Sequence, residues 1–337
     1  MVLPSFGITY IRPCVTDAGK VSAETHLAEN ENGSESPGLL DSLGLCWLLN
    51  LSEVFTHVKC SENLGIAKMD FNGKTVVVSK GGRINVRTAE DRQDALETTR
   101  IVVRTIWPAM VCSRCGKTVL ECASGLCRQC GRAGCPLLLN GVPDPTRTVL
   151  QRPETRTVRE IFSEMEASGD THHLEARKAF DDIFTILENN VAGFLSGIVP
   201  DKPDIPPERM QMANRLAQRL VTQGERQAEF SAGLALLGIG KNLETLGQDL
   251  CLVIKLVESN SDHMALEKAW NLVSNMYRCL WTNNPADSMK VKPSTKIRKA
   301  VGRALRGRES KDLRKTLESI SEAGVRFCKI AELTLAV

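Results

Sequence analysis

KTVVVSKGGRINVRTAEDRQDALETTRIVVRTI, residues 74–106, decides the fold of the N-terminal part of this chain. It opens with two β-branched runs, KTVVVS and RINVR, which flank a Lys-Gly-Gly turn at 80–82. Two such runs around a glycine turn predict a β-hairpin. A helical pattern follows the hairpin directly, so the stretch predicts the basic plan of an αβ domain.

The ends of the helix after the hairpin are marked by cap signals. Thr88 with Asp91 three residues later resembles a capping box in which Asp takes the place of Glu. The helix is expected to end at Trp107, because a residue that precedes a proline disfavours the helical conformation. Before the hairpin, the sequence predicts a strand in GITYIRPCV and a short buried helix in LLDSLGLCWLLN. Residues 1–110 are therefore predicted to form a small αβ domain.

The hairpin and helix, with the turn and strand GGRINVR, resemble one half-repeat of the TATA-binding-protein fold over residues 70–107. The resemblance lies in the G-R-I-x-V strand and in the order of hairpin and helix. It implies an αβ module of that plan. It carries no function to this chain, because one fold hosts many functions.

A cysteine cluster follows this domain and contains half of the chain's twelve cysteines. Residues 112–136 read CSRCGKTVLECASGLCRQCGRAGCP. Two C-x2-C pairs are each followed by glycine, and two cysteines are additional: the pairs are Cys112 with Cys115 and Cys127 with Cys130, and the additional residues are Cys122 and Cys135. Two thiolates at this spacing can bind one ion where the backbone turns sharply, and glycine relieves the strain of the turn. Two such turns can close a site of four thiolates around Zn²⁺.

The spacing resembles a small zinc ribbon, so residues 111–136 are predicted to be a metal-binding segment held by structural zinc. A [4Fe-4S] cluster is the alternative, because Cys135-Pro136 resembles the Cys-Pro that ends bacterial ferredoxin motifs and because six cysteines exceed the four that one zinc ion needs. The compact C-x2-C-x2-C run of those motifs is absent from the sequence. The sequence leaves open whether Cys122 or Cys135 replaces a paired cysteine as a ligand.

The C-terminal half is predicted to be an antiparallel helical bundle over 158–337, preceded by a proline-rich linker at 137–157. Apolar residues recur at helical spacing along two long segments. One segment contains Phe230, Leu234, Leu237, Leu243, Leu246, Leu250, Val253 and Val257, and the other contains Leu313, Leu317, Ile320, Gly324, Phe327, Ala331 and Thr334. Helix breaks are expected at 199–207, near Gly224, near 259–262 and at 283–288. The fold class of the whole chain is therefore α+β.

The two long segments, 232–257 and 312–337, also look alike and suggest an internal repeat. Both resemble the third helix of the repeat in the PhoU family of phosphate regulators. The matching residues are Leu243, Glu244 and Gly247 in the first copy and Leu317, Glu318, Ile320, Ile330, Ala331 and Glu332 in the second. The resemblance implies two three-helix repeats and a role in phosphate-linked signalling, through contact with a transporter or kinase.

The carboxylates of this chain depart from the metal-binding pattern E-x-x-x-D of that family. Glu244 is followed four residues later by Gln248, with Asp249 one position out of register. Glu318 is followed by Glu322, an acid of a different length. We therefore do not carry over the metal clusters of the family, and Glu318 and Glu322 are expected to face solvent.

A basic stretch at 290–315 is the strongest electrostatic feature of the sequence. Its central cations are Lys296, Arg298, Lys299, Arg303, Arg306 and Arg308. Such a stretch predicts an anion-binding surface for nucleic acid, anionic lipid or another phosphate-bearing partner. The alternative is a solvated helix face balanced by acids elsewhere, which fits a net charge of only +3.

Composition excludes several classes of protein. No run approaches 18 apolar residues, and the first residues do not read as a secretory signal, so the sequence predicts neither a membrane span nor export. A cytoplasmic location is expected, and with it an absence of disulfides. The scattered cysteines are then expected in cores: Cys14, Cys46, Cys60, Cys251, Cys279 and Cys328.

The sequence as a whole predicts a non-catalytic, metal-binding regulator or adaptor. No nucleophile–base or other catalytic constellation is visible, although paired carboxylates that meet only in the fold escape this kind of analysis. A protein partner is expected, and a homodimer is a further candidate assembly. Two other functions stay open: an iron–sulfur electron-transfer protein, and a nucleic-acid binder that uses the αβ domain, the zinc segment and residues 290–315.

Overall fold

The computed structural model describes residues 8–15, 17–27, 40–112, 115–123, 158–169, 171–198, 205–223, 227–257, 260–281 and 311–335. It has an N-terminal antiparallel sheet and a C-terminal helical region, which confirms the α+β class. Two compact units can be recognised. The first contains the described residues up to Cys122 together with Gln218–Leu234, and the second contains the other described helical residues.

The first unit is built on a six-stranded sheet. Its strands are β1 (Ile8–Pro13), β2 (Val21–His26), β3 (Thr56–Ser61), β4 (Ile66–Phe71), β5 (Lys74–Ser79) and β6 (Arg83–Ala89). They lie in the order β1-β2-β6-β5-β4-β3, and all neighbours are antiparallel. The predicted hairpin is therefore present as β5 and β6, at the centre of the sheet.

Two helices pack against the inner side of this sheet. Helix α1 (Ser42–Leu51) contacts β3, and helix α2 (Arg92–Ile106) contacts β2 and β6 before a short 3-10 turn at Trp107–Ala109. The inward positions of the strands are apolar and inaccessible to solvent, as β5 and β6 illustrate with Val76, Val78, Ile84 and Val86. Burial of these side chains, at roughly 25 cal/mol per Å² of apolar surface, stabilises the sheet beneath its helices.

The predicted N-cap of α2, Thr88, was wrong by three residues. Thr88 lies in β6 with a φ of 62°, and its side chain does not cap the helix. Asp91 is the N-cap, and its Oδ1 accepts a hydrogen bond from the backbone N–H of Asp94 at 2.8 Å. Asp94 in turn forms an ion pair with the buried Lys74 at 2.7 Å, which joins the helix to β5.

Cys46 and Cys60 form a disulfide between α1 and β3, with their Cα atoms 5.5 Å apart. The expectation that these two cysteines are unbonded core residues was therefore wrong. Cys60 points to the inner side of the sheet because it pairs with the inward Ala67, and this direction places it against α1. Of the other scattered cysteines, Cys14 is buried, and Cys251 is partly exposed.

The remaining helices are separated at three of the four predicted breaks, and the fourth, at 283–288, lies outside the described residues. They are α3 (Val119–Ala123), α4 (Val158–Ala167), α5 (His172–Leu195), α6 (Pro207–Gln223), α7 (Gln227–Leu256), α8 (Asn260–Cys279) and α9 (Lys311–Leu335). No described helix is long and apolar enough to cross a membrane. The predicted linker at 137–157 lies outside the described residues.

In the second unit, helices α5, α8 and α9 share a core. The predicted apolar stripe of α9 is buried from Leu313 to Phe327, and α9 makes its most extensive packing with α8. Aromatic rings add to this core: Phe184 of α5 stacks on Tyr277 of α8, with 4.0 Å between ring centroids. The amphipathic pattern of the sequence therefore gives the bundle its interior.

Candidate metal centre

The first part of the cysteine cluster is held by the backbone that leaves α2. Val111 forms an isolated β-bridge with Thr118, and the N–H of Val119 donates to the carbonyl of Met110 at 2.8 Å. The N–H of Cys112 donates to the carbonyl of Lys117 at 2.8 Å. These bonds close a short loop that brings the chain back on itself between Cys112 and Thr118.

Gly116 makes the turn of this loop possible. Its φ is 66°, and its N–H donates to the carbonyl of Cys112 at 2.8 Å. A Cβ at this position would meet no atom within 4 Å, so the requirement for glycine comes from the left-handed backbone and not from lack of space. This agrees with the expectation that the glycine after Cys115 relieves the strain of a tight turn.

A capping box then starts α3 and places Cys122. The N–H of Glu121 donates to Thr118 Oγ1 at 3.0 Å, and the N–H of Thr118 donates to Glu121 Oε2 at 2.8 Å. These reciprocal bonds satisfy two backbone donors at the helix start. Cys122, one residue after the capping glutamate, is therefore directed back towards the turn.

The sulfur atoms of Cys115 and Cys122 lie 3.8 Å apart. A Zn²⁺ ion with Zn–S bonds of about 2.3 Å and tetrahedral angles holds two thiolate sulfurs about 3.8 Å apart. The separation in this protein thus equals one edge of such a tetrahedron. Two thiolates at this distance are placed to share one ion.

Lys117 supplies a positive charge next to this pair of sulfurs. Its Nζ donates to Glu121 Oε1 at 3.0 Å, and this bond is the main cause of its raised pKa. The negative charges of Cys115 and Cys122, when ionised, raise that pKa further. A cation near two thiolates favours their ionised form, which is the form that binds metal.

The other predicted ligands divide into two groups. Cys112 is buried, with 2% of its surface exposed, and no set of three His, Cys, Asp or Glu side chains converges among the described residues. Cys127, Cys130 and Cys135 lie outside the described residues. The set of four zinc ligands therefore stays a prediction. The structure brings together one pair of sulfur atoms, those of Cys115 and Cys122.

The predicted basic surface is also mostly beyond the described part of the chain. Lys296, Arg298, Lys299, Arg303, Arg306 and Arg308 all lie outside it. At the end of the stretch, Arg314 in α9 donates to Glu318 at 3.0 Å, with both side chains more than half exposed. Glu318 is thus a surface residue, as expected from the sequence.

A half-buried carboxylate that sequence reasoning missed lies in the second unit. Asp249 of α7 accepts a hydrogen bond from Ser319 Oγ of α9 at 2.6 Å. Burial raises the pKa of Asp249, although the Ser319 hydrogen bond and the charge of Arg326 act in the opposite direction. Arg326 has 7% of its surface exposed, and its Nε and Nη2 atoms have no hydrogen-bond partner. Arg326 directly precedes Phe327 of the apolar stripe of α9, and this position was the available signal.

The outer face of the sheet carries an excess of positive charge. Lys59 of β3 and Lys68 of β4 stand directly opposite each other and are exposed, and Arg83 and Arg87 of β6 are exposed as well. Like charges in directly opposite positions destabilise a sheet. The acids on this face are already engaged, because Glu24 pairs with Arg83 at 2.6 Å and Asp70 pairs with His57 at 3.2 Å.

Comparison with known proteins gives no family, because no protein-family model, curated protein or solved structure matches this chain. The PhoU, zinc-ribbon and TATA-binding-protein resemblances therefore stay predictions from the sequence. The function has to be inferred from the geometry of the chain itself, and the sulfur pair of Cys115 and Cys122 is its most specific arrangement.

Proposed function

We propose that this protein is a non-catalytic regulator or adaptor whose cysteine segment binds one structural Zn²⁺ ion. The observation that supports the proposal best is the separation of the Cys115 and Cys122 sulfurs, 3.8 Å, which fits two thiolates on one tetrahedral ion. Cys127 and Cys130 are the ligands that the sequence predicts for the other two positions. The closed all-thiolate site leaves no position for a substrate, so the ion has a structural role.

The physical reason for an ion in this segment is that little else can stabilise it. Helix α3 has only five residues, and a helix of this length is not stable alone. Metal binding supplies folding free energy directly, because the unfolded chain contains no preformed site. The zinc ion would thus fix the polypeptide that follows α2 and stiffen the junction between the αβ domain and the helical bundle.

Elemental analysis tests this function. The full chain, purified without oxygen and without added metal, is expected to be colourless and to contain about one zinc ion per chain. The matched control is Cys251→Ser, which removes a cysteine of the second unit and should leave the zinc content unchanged. A protein with neither zinc nor iron would contradict the proposal.

A [4Fe-4S] cluster is the alternative content of the segment. In that cluster each thiolate binds a different iron, so two ligand sulfurs lie farther apart than two thiolates on one ion. The short Cys115–Cys122 contact therefore favours a shared single ion. A brown sample that contains iron and bleaches on reduction would establish the cluster in place of zinc.

The helical bundle is the part that we assign to partner docking. The support is the PhoU resemblance, which implies phosphate-linked signalling through a transporter or kinase. Affinity purification from cells grown with limiting or abundant phosphate tests this role. Recovery of the same membrane transporter or kinase under one of the two conditions is expected, and recovery of neither would contradict it.

Nucleic-acid binding is the second candidate function, and the basic outer face of the sheet favours it. Phosphate groups would relieve the repulsion between Lys59 and Lys68. Binding of labelled DNA and RNA should weaken steeply as salt rises, and the double variant Lys59→Ala/Lys68→Ala should reduce the slope of log K against log salt by about two. Lys178→Ala, on α5, is the control. Absence of binding at low salt would exclude this function.

A further inference from the structure

We infer that Cys122, and not Cys112, is the partner of Cys115 on the metal ion. This inference rests on the proposed zinc-binding function and assigns a ligand pair that differs from the one the C-x2-C spacing predicts. The sequence motif C-x2-C suggests Cys112 and Cys115 as one ligand pair. The structure instead brings together the sulfurs of Cys115 and Cys122, at 3.8 Å. The first half of the site then has the spacing C-x6-C.

The backbone explains why the longer spacing is the one that converges. Gly116 lies between the two ligands, and its left-handed conformation reverses the chain after Cys115. The capping box of Thr118 and Glu121 then starts α3, so that Cys122 returns to the same side as Cys115. Each step between the two sulfurs is fixed by a hydrogen bond or by a glycine turn.

Cys112 has a different environment and a different role. Its backbone N–H and carbonyl are both used within the loop, by Lys117 and Gly116, and its side chain is 2% exposed. It does not form a group of three with Cys115 and Cys122. Cys122 is buried as well, so the distinction between the two rests on the contact of the Cys122 sulfur with that of Cys115. A buried Cys112 that is not a ligand packs as a small apolar residue.

Three single variants of the full chain test the assignment: Cys112→Ala, Cys115→Ser and Cys122→Ser. Zinc content and affinity are measured by elemental analysis and by competition with a chelator. Cys112→Ala should keep one zinc with an affinity within about threefold of the unchanged protein, because it removes no ligand. Cys115→Ser and Cys122→Ser should each lose at least about tenfold in affinity, because each removes one of four thiolates.

Cobalt substitution gives a second readout that does not depend on stability. The intensity of the thiolate-to-cobalt charge-transfer absorption scales with the number of bound thiolates. Cys112→Ala should keep the full intensity, whereas Cys122→Ser should lose about a quarter of it, since four thiolates are expected. Circular dichroism checks that each variant is folded, and Cys112→Ser replaces Cys112→Ala if the alanine variant is not.

The outcomes separate this inference from the proposed function. Loss of zinc and of cobalt absorption in the Cys112 variant, with both retained in Cys122→Ser, would overturn the inference and leave zinc binding intact. Absence of metal from the unchanged protein would overturn the proposed function and the inference with it. Retention in Cys112→Ala with loss in Cys122→Ser is the result that establishes the assignment.

Discussion

Gly116 shows how the conformation of one residue can control a whole site. Its φ of 66° lies in a region that other residues occupy at a cost of about 1–2 kcal/mol, because their Cβ atom approaches a carbonyl oxygen. Gly116 lies between Cys115 and Cys122 in the chain, and its turn lets their sulfur atoms approach to 3.8 Å. The sequence predicted a glycine turn here, but the residue that the turn brings to Cys115 could not be predicted. Which cysteine approaches Cys115 depends on the capping box formed by Thr118 and Glu121 at the start of α3. These two residues can be recognised as a capping box only once α3 is known to be a helix.

Substitution of Gly116 by alanine should therefore weaken metal binding. We expect a loss of about 1–2 kcal/mol, or roughly tenfold in zinc affinity, measured by chelator competition. Gly73→Ala is the matched control, since Gly73 also has a positive φ, of 74°, and lies in a hairpin turn away from the cysteines. The control should lose a similar amount of stability and no zinc affinity. Equal zinc affinities in all three proteins would contradict the role of the turn.

Asp249 gives the stability of the second unit a specific dependence on pH. Because burial raises its pKa in the folded state, the folded protein holds a proton that the unfolded chain releases near the ordinary value of 3.8. Stability is then lost as pH rises from that value through the folded pKa. Asp249→Asn should remove this decline, as measured by denaturant unfolding across acidic pH.

Two companion variants sharpen the test on Asp249. Ser319→Ala removes a hydrogen bond that stabilises the carboxylate, so the decline should move to higher pH. Glu318→Gln alters an exposed carboxylate that is adjacent to Ser319 in the sequence, and it should leave the dependence of stability on pH unchanged. A profile that is the same in Asp249→Asn as in the unchanged protein would show that this carboxylate is not responsible.

At the scale of secondary structure, the sequence was most informative where its patterns were regular. The hairpin of β5 and β6, helix α2, helix α1 and the helix breaks at 199–207, near Gly224 and near 259–262 were predicted, whereas the break between α4 and α5 was not. The hairpin of β3 and β4 was missed, because β3 is a largely exposed strand without apolar alternation. The available signal was Asn72-Gly73 between β4 and β5, where both residues have positive φ, as a type I′ hairpin turn requires. That dipeptide marks β4 as the strand preceding β5.

The disulfide between α1 and β3 was also missed, since it joins a helix to the strand that the sequence did not indicate. Cross-links that close a loop of about 15 residues typically stabilise a protein by about 3 kcal/mol. The double variant Cys46→Ser/Cys60→Ser should lose about that amount in urea unfolding, followed through the fluorescence of Trp47. Cys251→Ser serves as the control. Unchanged stability, or a mass that shows two thiols at these positions in the native protein, would contradict the prediction.

A disulfide of this kind also bears on where the protein functions. Disulfides persist mainly in oxidising compartments and are rare in the cytosol. The cytoplasmic location expected from the sequence stays a prediction, and the Cys46–Cys60 bond stands against it. Trapping of thiols by rapid alkylation in cells would show which state this pair has there.

At the scale of the molecule, the first unit includes a segment that lies about 100 residues further along the chain than the rest of its described residues. Gln218–Leu234, the adjoining ends of α6 and α7, belongs to it. Arg104 of α2 donates through Nε to the carbonyl of Val221 at 2.8 Å, and its guanidinium lies 5.3 Å from the ring centroid of Phe230. No local pattern in a single sequence indicates a contact across 117 positions, so this part of the fold could not be predicted.

The contribution of this segment to the first unit can be tested through Phe230, whose side chain is fully buried. Phe230→Ala should destabilise the first unit by about 3–5 kcal/mol, because it leaves a cavity and removes the ring below Arg104. Hydrogen exchange in α2, measured by mass spectrometry, should become faster although the substitution lies in α7. Leu252→Ala, at an exposed position of the same helix, should leave that exchange unchanged. Equal exchange in both variants would show that the segment does not support α2.

The irregular pairing of the edge strands β1 and β3 affects how molecules of this protein can associate. Among the described residues, β3 pairs only with β4, so one side of β3 presents backbone donors and acceptors to a strand from another chain. Its pairing is irregular between Thr56 and Lys59, where His57 has a φ of 51°, and Lys59 adds a charge. At the opposite margin, β1 is irregular as well and ends at Pro13, which has no N–H to donate. Both margins are thus poor templates for intermolecular strand addition, and the sheet is protected against the first step of fibre formation.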